Sequence, residues 1–206
     1  MQNLIPVKEN EDKLSSESSK IILDFHTEVA FHPQKTDYVI LLCLRQDHNK
    51  EAETFISSAK EIRSQLSKED IQTLCQPLFR TGVDYSFGSP NNTKGNGPTL
   101  KILDEEIDDF ICYDLDLMVG LTETARKSLY NLRLAANRCK YSIKLEKGDL
   151  LVIDNNKVIH GRSEFNPLYD GYDRWILRTC AMQSINSFRN AVNLKSPRKI
   201  ETTFEV

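Results

Sequence analysis

The sequence predicts a mainly β fold, a double-stranded β-helix (jelly roll) core with helical insertions. Short apolar segments of strand length recur along the chain and are joined by turns, most densely in the second half. Segments with helical periodicity are confined to the middle and are too few to alternate with strands in βαβ units. We expect one domain over 1–206, with a flexible lead-in at 1–20, the core at 21–182 and a C-terminal tail at 183–206.

Seven segments have the pattern of β-strands. Tyr38–Leu44 is a continuous apolar run with the length of a buried strand, and residues 141–145 alternate with period two. Turns at Lys147-Gly148-Asp149 and Asn155-Asn156 separate the later segments. The predicted strands cover 21–28, 38–44, 108–118, 141–145, 150–153, 157–160 and 175–182.

Three segments have the pattern of helices. Apolar residues recur every three or four positions over 51–66 and over 122–136. Ser67 precedes acidic residues and is the expected N-cap of a short helix that ends at about Cys75, and Thr122 is the expected N-cap of the last helix. The stretch 88–98 is rich in Gly, Pro and Asn and is predicted to be an exposed loop.

Charge and cysteine content exclude several protein classes. The formal net charge is -3 and no block of one sign occurs, so we expect no binding to nucleic acid or to an anionic membrane. The five cysteines are scattered without a Cys-x-x-Cys pair, which is typical of buried thiols in a reducing compartment. The sequence shows no signal-peptide run and no apolar stretch near the roughly 20 residues of a membrane span. Together these observations predict a cytoplasmic protein.

Two histidines and one glutamate form a predicted metal site. In a strand, residues i and i+2 project from the same face, so His26 and Glu28 can present an imidazole and a carboxylate to one point. His160, on the returning arm of a predicted hairpin, is the best-placed third ligand. Such a set leaves one side of the metal open, as in non-haem Fe(II) oxygenases, and the same residues could hold zinc. On their own, the His-x-Glu residues leave iron, zinc and no metal open.

Two arginines are expected to face an anion. Arg174 and Arg178 are four residues apart next to and within the last predicted strand, so they share one face. Guanidinium groups that face into a barrel are costly to desolvate unless they bind anions, and their fork of donors suits a carboxylate. The alternative is a pair of exposed arginines on an edge strand.

These motifs together resemble the clavaminate synthase-like Fe(II)/2-oxoglutarate-dependent oxygenases of the taurine dioxygenase superfamily. Within that superfamily the resemblance is strongest to the group of arginine and asparagine β-hydroxylases, which act on free amino acids. It covers the chain from about Leu4 to Met182. The segments that carry it are His26–Pro33, Val152–Arg162 and Tyr169–Trp175.

The resemblance implies a role for each candidate site residue. The Fe(II) ligands would be His26, Glu28 and His160. The distal carboxylate of 2-oxoglutarate would bind Arg174 with help from the Thr54 hydroxyl. The substrate would be held by Arg178, which matches the position for an α-carboxylate, by Asp114 and Asp116, which match positions for an amine or a basic side chain, and by Ser16 in a covering loop. Outside the resemblance, Thr54 reads equally as a helix-cap threonine and the two aspartates as a solvated turn.

The implied activity is hydroxylation of an unactivated C–H bond in a free L-amino acid, with a basic one favoured. Fe(II) is the implied cofactor, 2-oxoglutarate and O₂ are the cosubstrates, and succinate and CO₂ are released. Family members carry a longer region before the His-x-Glu motif, whereas 25 residues precede His26 here. A second chain or a homo-oligomer is therefore expected to complete that side of the pocket. The alternatives are a truncated, catalytically inactive remnant or binding module that keeps the metal-binding barrel, and a zinc hydrolase.

Overall fold

Short strands are the most numerous elements in the part of the chain that the structure describes. The structure is a computed structural model and describes residues 1–33, 35–83 and 94–184. The strands are β1 (Gln2–Leu4), β2 (Leu23–His26), β3 (Tyr38–Arg45), β4 (Thr54–Ser58), β5 (Phe79–Arg80), β6 (Thr99–Leu100), β7 (Val119–Gly120), β8 (Tyr141–Ile143), β9 (Leu150–Asp154), β10 (Val158–Arg162) and β11 (Trp175–Ala181). The α-helices are α1 (Ala59–Ser64), α2 (Lys68–Leu74) and α3 (Glu123–Arg138).

Two four-stranded antiparallel sheets form the centre of the fold. The first, which we call the β3 sheet, has the strand order β1-β11-β3-β9. The second, the β10 sheet, has the order β2-β10-β4-β8. Pairing of β2 with β10 sets His26 opposite His160, although 134 residues separate them in sequence (160 − 26). A third, smaller sheet has the order β6-β5-β7.

The two sheets pack face to face around an apolar core. Val39, Cys43 and Ile176 supply the buried side chains of the β3 sheet. Partly buried residues of the β10 sheet, among them Ile56 and Val158, pack against them. Burial of this apolar surface holds the sheets together, and alternate residues of each strand point into the core.

The helices cover the other face of the β10 sheet. Phe25, Phe55 and Ile159 of this sheet share one buried cluster with apolar residues of all three helices. Gly161 lies under the Phe55 ring, and a Cβ there would come within 2.2 Å of a ring carbon. Only glycine fits at this position, so the neighbouring strands β4 and β2 approach the backbone of β10 closely just after His160.

Local signals identify most elements correctly. The strands predicted at 38–44, 141–145, 150–153, 157–160 and 175–182 correspond to β3, β8, β9, β10 and β11. The predicted N-caps are confirmed, since Ser67 accepts a hydrogen bond from Asp70 N and Thr122 from Ala125 N.

The predicted helix over 51–66 is wrong in its first half. Thr54–Ser58 is β4, which pairs with β10 and β8, and only Ala59–Ser64 is an α-helix. The apolar spacing over so short a segment fits both a helix and a strand, and pairing with distant strands decides the outcome. Ser58 caps α1 by accepting a hydrogen bond from Glu61 N, and this Ser-x-x-Glu pattern marks the true start of the helix.

Two further predictions are corrected. Residues 108–118 do not form a strand: they contribute isolated bridges, such as His26 to Asp114, and the Asp114 carboxylate accepts a hydrogen bond from Leu117 N in a turn. The lead-in at 1–20 is not a flexible segment, because Gln2–Leu4 is a strand paired with β11 and the residues up to 20 make hydrogen bonds to the rest of the chain.

Several expectations concern residues outside the described ranges. The loop predicted at 88–98 lies partly outside them, over 88–93, and the predicted tail at 183–206 lies outside them from residue 185 onward. All five cysteines are unpaired; three are buried, but Cys139 is half-buried and Cys180 is exposed. Within the ranges that the structure describes, none of the helices has the length and apolar composition that a membrane crossing needs.

Candidate metal centre and adjoining cavities

The fold brings the three predicted metal ligands together. Ligand atoms of His26, Glu28 and His160 all lie within 4.8 Å of one another. The two imidazole ring centres are 4.5 Å apart, and His160 Nε2 lies 3.9 Å from a Glu28 carboxylate oxygen. Two imidazoles and one carboxylate on one side of a common point are the donor set of a non-haem iron site.

Glu28 lies in a turn and not in the strand that was predicted for it. β2 ends at His26, and Glu28 lies in a turn whose next residue, Val29, has a left-handed φ of 56°. Asn155, which is 0% exposed, holds this turn: its Oδ1 accepts from Glu28 N at 2.7 Å and its Nδ2 donates to Glu28 O at 3.0 Å. A third hydrogen bond, from Nδ2 to Thr36 O, fixes the amide itself. Sequence reasoning missed Asn155, which it interpreted only as a turn residue.

The two histidines are in states that suit a metal. His26 Nδ1 lies 2.8 Å from the backbone oxygen of Asp24, so an Nδ1–H can donate there and Nε2 is left for a ligand. Burial lowers the pKa of His160 well below its usual value, and the neighbouring side chains of His26 and Arg178 lower it further. A neutral imidazole is the form that binds a metal. The residues present therefore fit a divalent ion.

A cavity rich in arginine lies beside the metal ligands. It has a volume of about 50 Å³, and we call it the arginine cavity. Arg162, Arg174, Arg178, Thr54 and His160 line it, and none of its described lining residues is acidic. Arg174 and Arg178, which were predicted to share one face of a strand, both line this space, although Arg174 precedes β11. Three guanidinium groups around a space without a lining carboxylate favour an anionic ligand.

Arg174 donates no hydrogen bond to any of the described residues. It is 8% exposed, and burial lowers the pKa of its guanidinium to about 10. Among the described residues it makes a ring contact with Phe165 at 5.8 Å, and no group accepts a hydrogen bond from it. Thr54, which is buried on β4, lines the same cavity, as the resemblance implies.

A second cavity adjoins the metal ligands on the other side. It has a volume of about 210 Å³, and we call it the acidic cavity. All four predicted substrate residues line it: Ser16, Asp114, Asp116 and Arg178. Burial and the nearby Asp24 carboxylate raise the pKa of Asp116, although a hydrogen bond from Asp24 N opposes the shift. A cationic group in this cavity would lower that pKa again.

Arg178 lies between the two cavities and is already paired. Its Nη1 is 2.9 Å from both carboxylate oxygens of Glu28, and its Nη2 donates to Gln2 Oε1 at 2.6 Å. The sequence predicted an amino-acid carboxylate as its partner. In this structure the partner is the carboxylate of a predicted metal ligand, so Arg178 links the metal centre to the acidic cavity.

A polar cluster next to Arg174 was also missed. His48 is exposed, and its Nε2 lies 3.2 Å from Asp170 Oδ1 and 3.5 Å from Asp173 Oδ1. Asp173 is buried and immediately precedes Arg174. Separation in sequence concealed this contact, because Asp170 lies 122 positions after His48 (170 − 48).

Comparison with known proteins gives consistent matches over nearly the whole chain. The family model described as "Taurine catabolism dioxygenase TauD, TfdA family" matches residues 3–180. L-lysine 3-hydroxylase of Catenulispora acidiphila is 34% identical over 196 residues, which is 92% of this chain and 54% of that protein. L-asparagine oxygenase of Streptomyces coelicolor is 32% identical over 189 residues, which is 92% of this chain and 56% of that protein.

Solved structures agree with these matches. A crystal structure of asparagine oxygenase with Fe(II), 2S,3S-3-hydroxyasparagine and succinate has a TM-score of 0.84 and 32% identity, and covers 92% of this chain and 58% of that one. The non-heme iron oxygenase OrfP with Fe and alpha-ketoglutaric acid has a TM-score of 0.82 and 27% identity, and covers 97% and 62%. The chain spans about half the length of the curated relatives that it matches. It belongs to the TauD/TfdA family of dioxygenases.

Proposed function

We propose that this protein is a non-haem Fe(II)/2-oxoglutarate-dependent oxygenase that hydroxylates an unactivated C–H bond of a free L-amino acid. One observation carries the proposal: the three ligand side chains converge beside a cavity that is lined by three arginines and by no acidic residue among those described. A metal site alone would also suit a zinc hydrolase. The adjoining place for a small anion favours an oxygenase that uses a keto acid.

Different side chains would bind the metal and the cosubstrate. His26, Glu28 and His160 would hold the ion, which, when bound with 2-oxoglutarate and O₂, supplies the oxidising chemistry that releases succinate and CO₂ and hydroxylates the substrate. Arg174 would bind the distal carboxylate of 2-oxoglutarate, with the Thr54 hydroxyl as a further donor. Both line the cavity beside the ligands, and both are buried.

The acidic cavity is the proposed place of the amino acid. Asp114 and Asp116 would accept hydrogen bonds from a cationic side chain or an amine, Arg178 would bind the α-carboxylate, and Ser16 would cover the bound molecule. The similar proteins are named for lysine and asparagine, and one OrfP structure holds (3S)-hydroxy-L-Arg. Two carboxylates in one cavity favour a basic amino acid over a neutral one.

The remaining proposals concern architecture and location. We propose that the two packed sheets are the jelly roll of one oxygenase domain, with α1, α2 and α3 as its helical insertion. Two observations support this: the two four-stranded sheets pack face to face, and a solved asparagine oxygenase has a similar fold. Five unpaired cysteines support a reducing, cytoplasmic location.

We propose that a further polypeptide packs on the outer face of the β3 sheet. Leu150 and Val152 of β9 are 61% and 53% exposed on the face turned away from the core. Their strand neighbours on that face are Leu42 and Ile40, which are only half-buried. Exposed apolar patches of this kind favour a partner surface. A second copy or another chain would bury it, and sedimentation across a concentration series, with Leu150→Lys as the control, tests for the second copy.

Turnover of 2-oxoglutarate tests the proposed function. Purified protein would be supplied with Fe(II), ascorbate, 2-oxoglutarate and O₂, and succinate would be measured over a set of free amino acids. The proposal requires succinate above the background of a His160→Ala variant, and more with basic amino acids. Wild-type protein that binds Fe(II) but makes no succinate would instead support an inactive remnant or binding module.

A further inference from the structure

Phe165 is a buried aromatic residue that lies outside both apolar clusters of the fold. It is 4% exposed and lies in the connection between β10 and β11, nine positions before Arg174 (174 − 165). Phe25 and Phe55 belong to the cluster that the helices cover, whereas Phe165 belongs neither to that cluster nor to the one between the sheets. Packing in the apolar core therefore does not account for this side chain.

Two guanidinium groups contact the Phe165 ring. The guanidinium carbon of Arg162 is 5.1 Å from the ring centre, and that of Arg174 is 5.8 Å from it. The face of an aromatic ring carries partial negative charge, and it attracts a cation within about 6 Å, most strongly where water is excluded. Both arginines are buried. The ring therefore stabilises two buried positive charges.

The two arginines differ in what else holds them. Arg162 donates hydrogen bonds to Ser18 O, to Ser18 Oγ at 3.0 Å and to Ile21 O at 3.2 Å. Arg174 donates none to the residues in the described ranges, and its guanidinium contacts the Phe165 ring. The ring is thus the contact that orients the Arg174 side chain.

An aromatic ring suits an arginine that has to bind a ligand better than an acidic side chain would. A carboxylate beside Arg174 would occupy its N–H donors, and none of the described residues that line the arginine cavity is acidic. A ring attracts the cation through its face, so the fork of N–H donors stays available. Phe165 can therefore hold the guanidinium in place and leave its donors to an anion.

We infer that Phe165 is a positioning residue for the cosubstrate: its ring holds the Arg174 guanidinium in the orientation that binds the distal carboxylate of 2-oxoglutarate. The inference rests on the proposed function, because 2-oxoglutarate is the anion expected beside Arg174. Phe165 itself is not among the residues that line the arginine cavity. It raises affinity indirectly, since a guanidinium that is held in advance loses less conformational entropy when the carboxylate binds.

Fluorination of the ring tests this role, because it changes the charge distribution of the ring and nearly preserves its shape. Each fluorine atom on Phe165 withdraws negative charge from the ring face. Fe(II)-loaded protein, kept free of O₂, would carry phenylalanine with an increasing number of fluorine atoms at position 165, and calorimetry would give the Kd for 2-oxoglutarate. We expect the Kd to rise along the series and to reach about 5–30 times the wild-type value with the fully fluorinated ring. Phe165→Leu, which keeps an apolar side chain without a ring, should give a rise of similar size.

Pyruvate and a core phenylalanine are the matched controls. Pyruvate has the keto-acid end of 2-oxoglutarate but lacks the distal carboxylate, so its Kd should stay constant along the series. Phe79 is 0% exposed in the cluster that the helices cover. A fully fluorinated ring at that position should leave the Kd for 2-oxoglutarate unchanged.

Three results would overturn the role of the Phe165 ring: a constant Kd for 2-oxoglutarate along the series, an equal loss of affinity for pyruvate, or an equal rise from fluorination at Phe79. The fluorinated rings decide the question even where Phe165→Leu fails to fold. Wild-type protein that binds no 2-oxoglutarate at all would refute the proposed function instead, so the two failures are distinguishable.

Discussion

Replacement of Arg174 should nearly abolish 2-oxoglutarate binding and leave the metal in place. The side chain is 8% exposed, lines the arginine cavity and has no hydrogen-bond acceptor among the described residues, so its donors are left for a bound carboxylate. Two charge-assisted hydrogen bonds at about 1.5–3 kcal/mol each give a loss of about 3–6 kcal/mol in Arg174→Ala. At about 1.4 kcal/mol per tenfold, the Kd rises by about 10²–10⁴-fold.

Calorimetric titration of 2-oxoglutarate into Fe(II)-loaded protein without O₂ measures this change, and metal content is determined in the same samples. Arg174→Lys keeps the charge but loses the fork, so its affinity should fall between those of Arg174→Ala and the wild type. Arg133→Ala, at a half-exposed arginine of α3, is the matched control and should bind normally. Equal affinity in wild type and Arg174→Ala would refute the assignment of this arginine to 2-oxoglutarate. Loss of iron from the variant would refute the expectation that the metal stays in place without Arg174.

Three further outcomes are expected. Asn155→Asp keeps an acceptor for Glu28 N but loses the donor to Glu28 O, so Fe(II) affinity should fall about 10–100-fold by calorimetry, and unchanged affinity would contradict a role in holding that ligand. Asp116→Asn should raise KM for a basic amino acid more than for a neutral one, and an equal rise would count against a basic substrate. Burial raises the pKa of Asp70, but hydrogen bonds from Ser128 and neighbouring side chains lower it on balance. The stability that this lowered pKa provides is present above the unfolded pKa of about 3.9 and is lost as the pH falls through the lower pKa of the folded state. Ser128→Ala should therefore cost about 1–3 kcal/mol at neutral pH and shift acid unfolding to higher pH, unlike a change at exposed Glu123.

Elements specified by neighbouring residues were predictable from the sequence. The β-branched apolar run of β3 and the N-caps Ser67 and Thr122 act within a few residues, so their elements were placed within about two positions. The segment 51–66 failed because β4 is defined by pairing with β10, about a hundred residues downstream. No local pattern reports such pairing, although Ser58 with Glu61 marked where the helix begins.

In the candidate site, too, the residue types were predictable from the sequence, whereas contacts between distant segments were not. Residue types and spacing singled out His26, Glu28 and His160; strand pairing brings the two histidines together, and a turn held by Asn155 places Glu28 beside them. Burial and side-chain partners are not readable from sequence. Asn155 and Arg162 therefore carried no signal of their own, although both act on segments more than a hundred residues away.

The fate of molecular oxygen tests the central claim most directly. The protein, loaded with Fe(II), would be given 2-oxoglutarate, ¹⁸O₂ and the amino acid that most increases succinate formation. The ¹⁸O content of the amino-acid product and of succinate would then be measured by mass spectrometry. The account predicts one labelled oxygen atom in the amino acid and one in succinate, with neither in a His160→Ala variant. Unlabelled products, or label that appears equally in that variant, would contradict it.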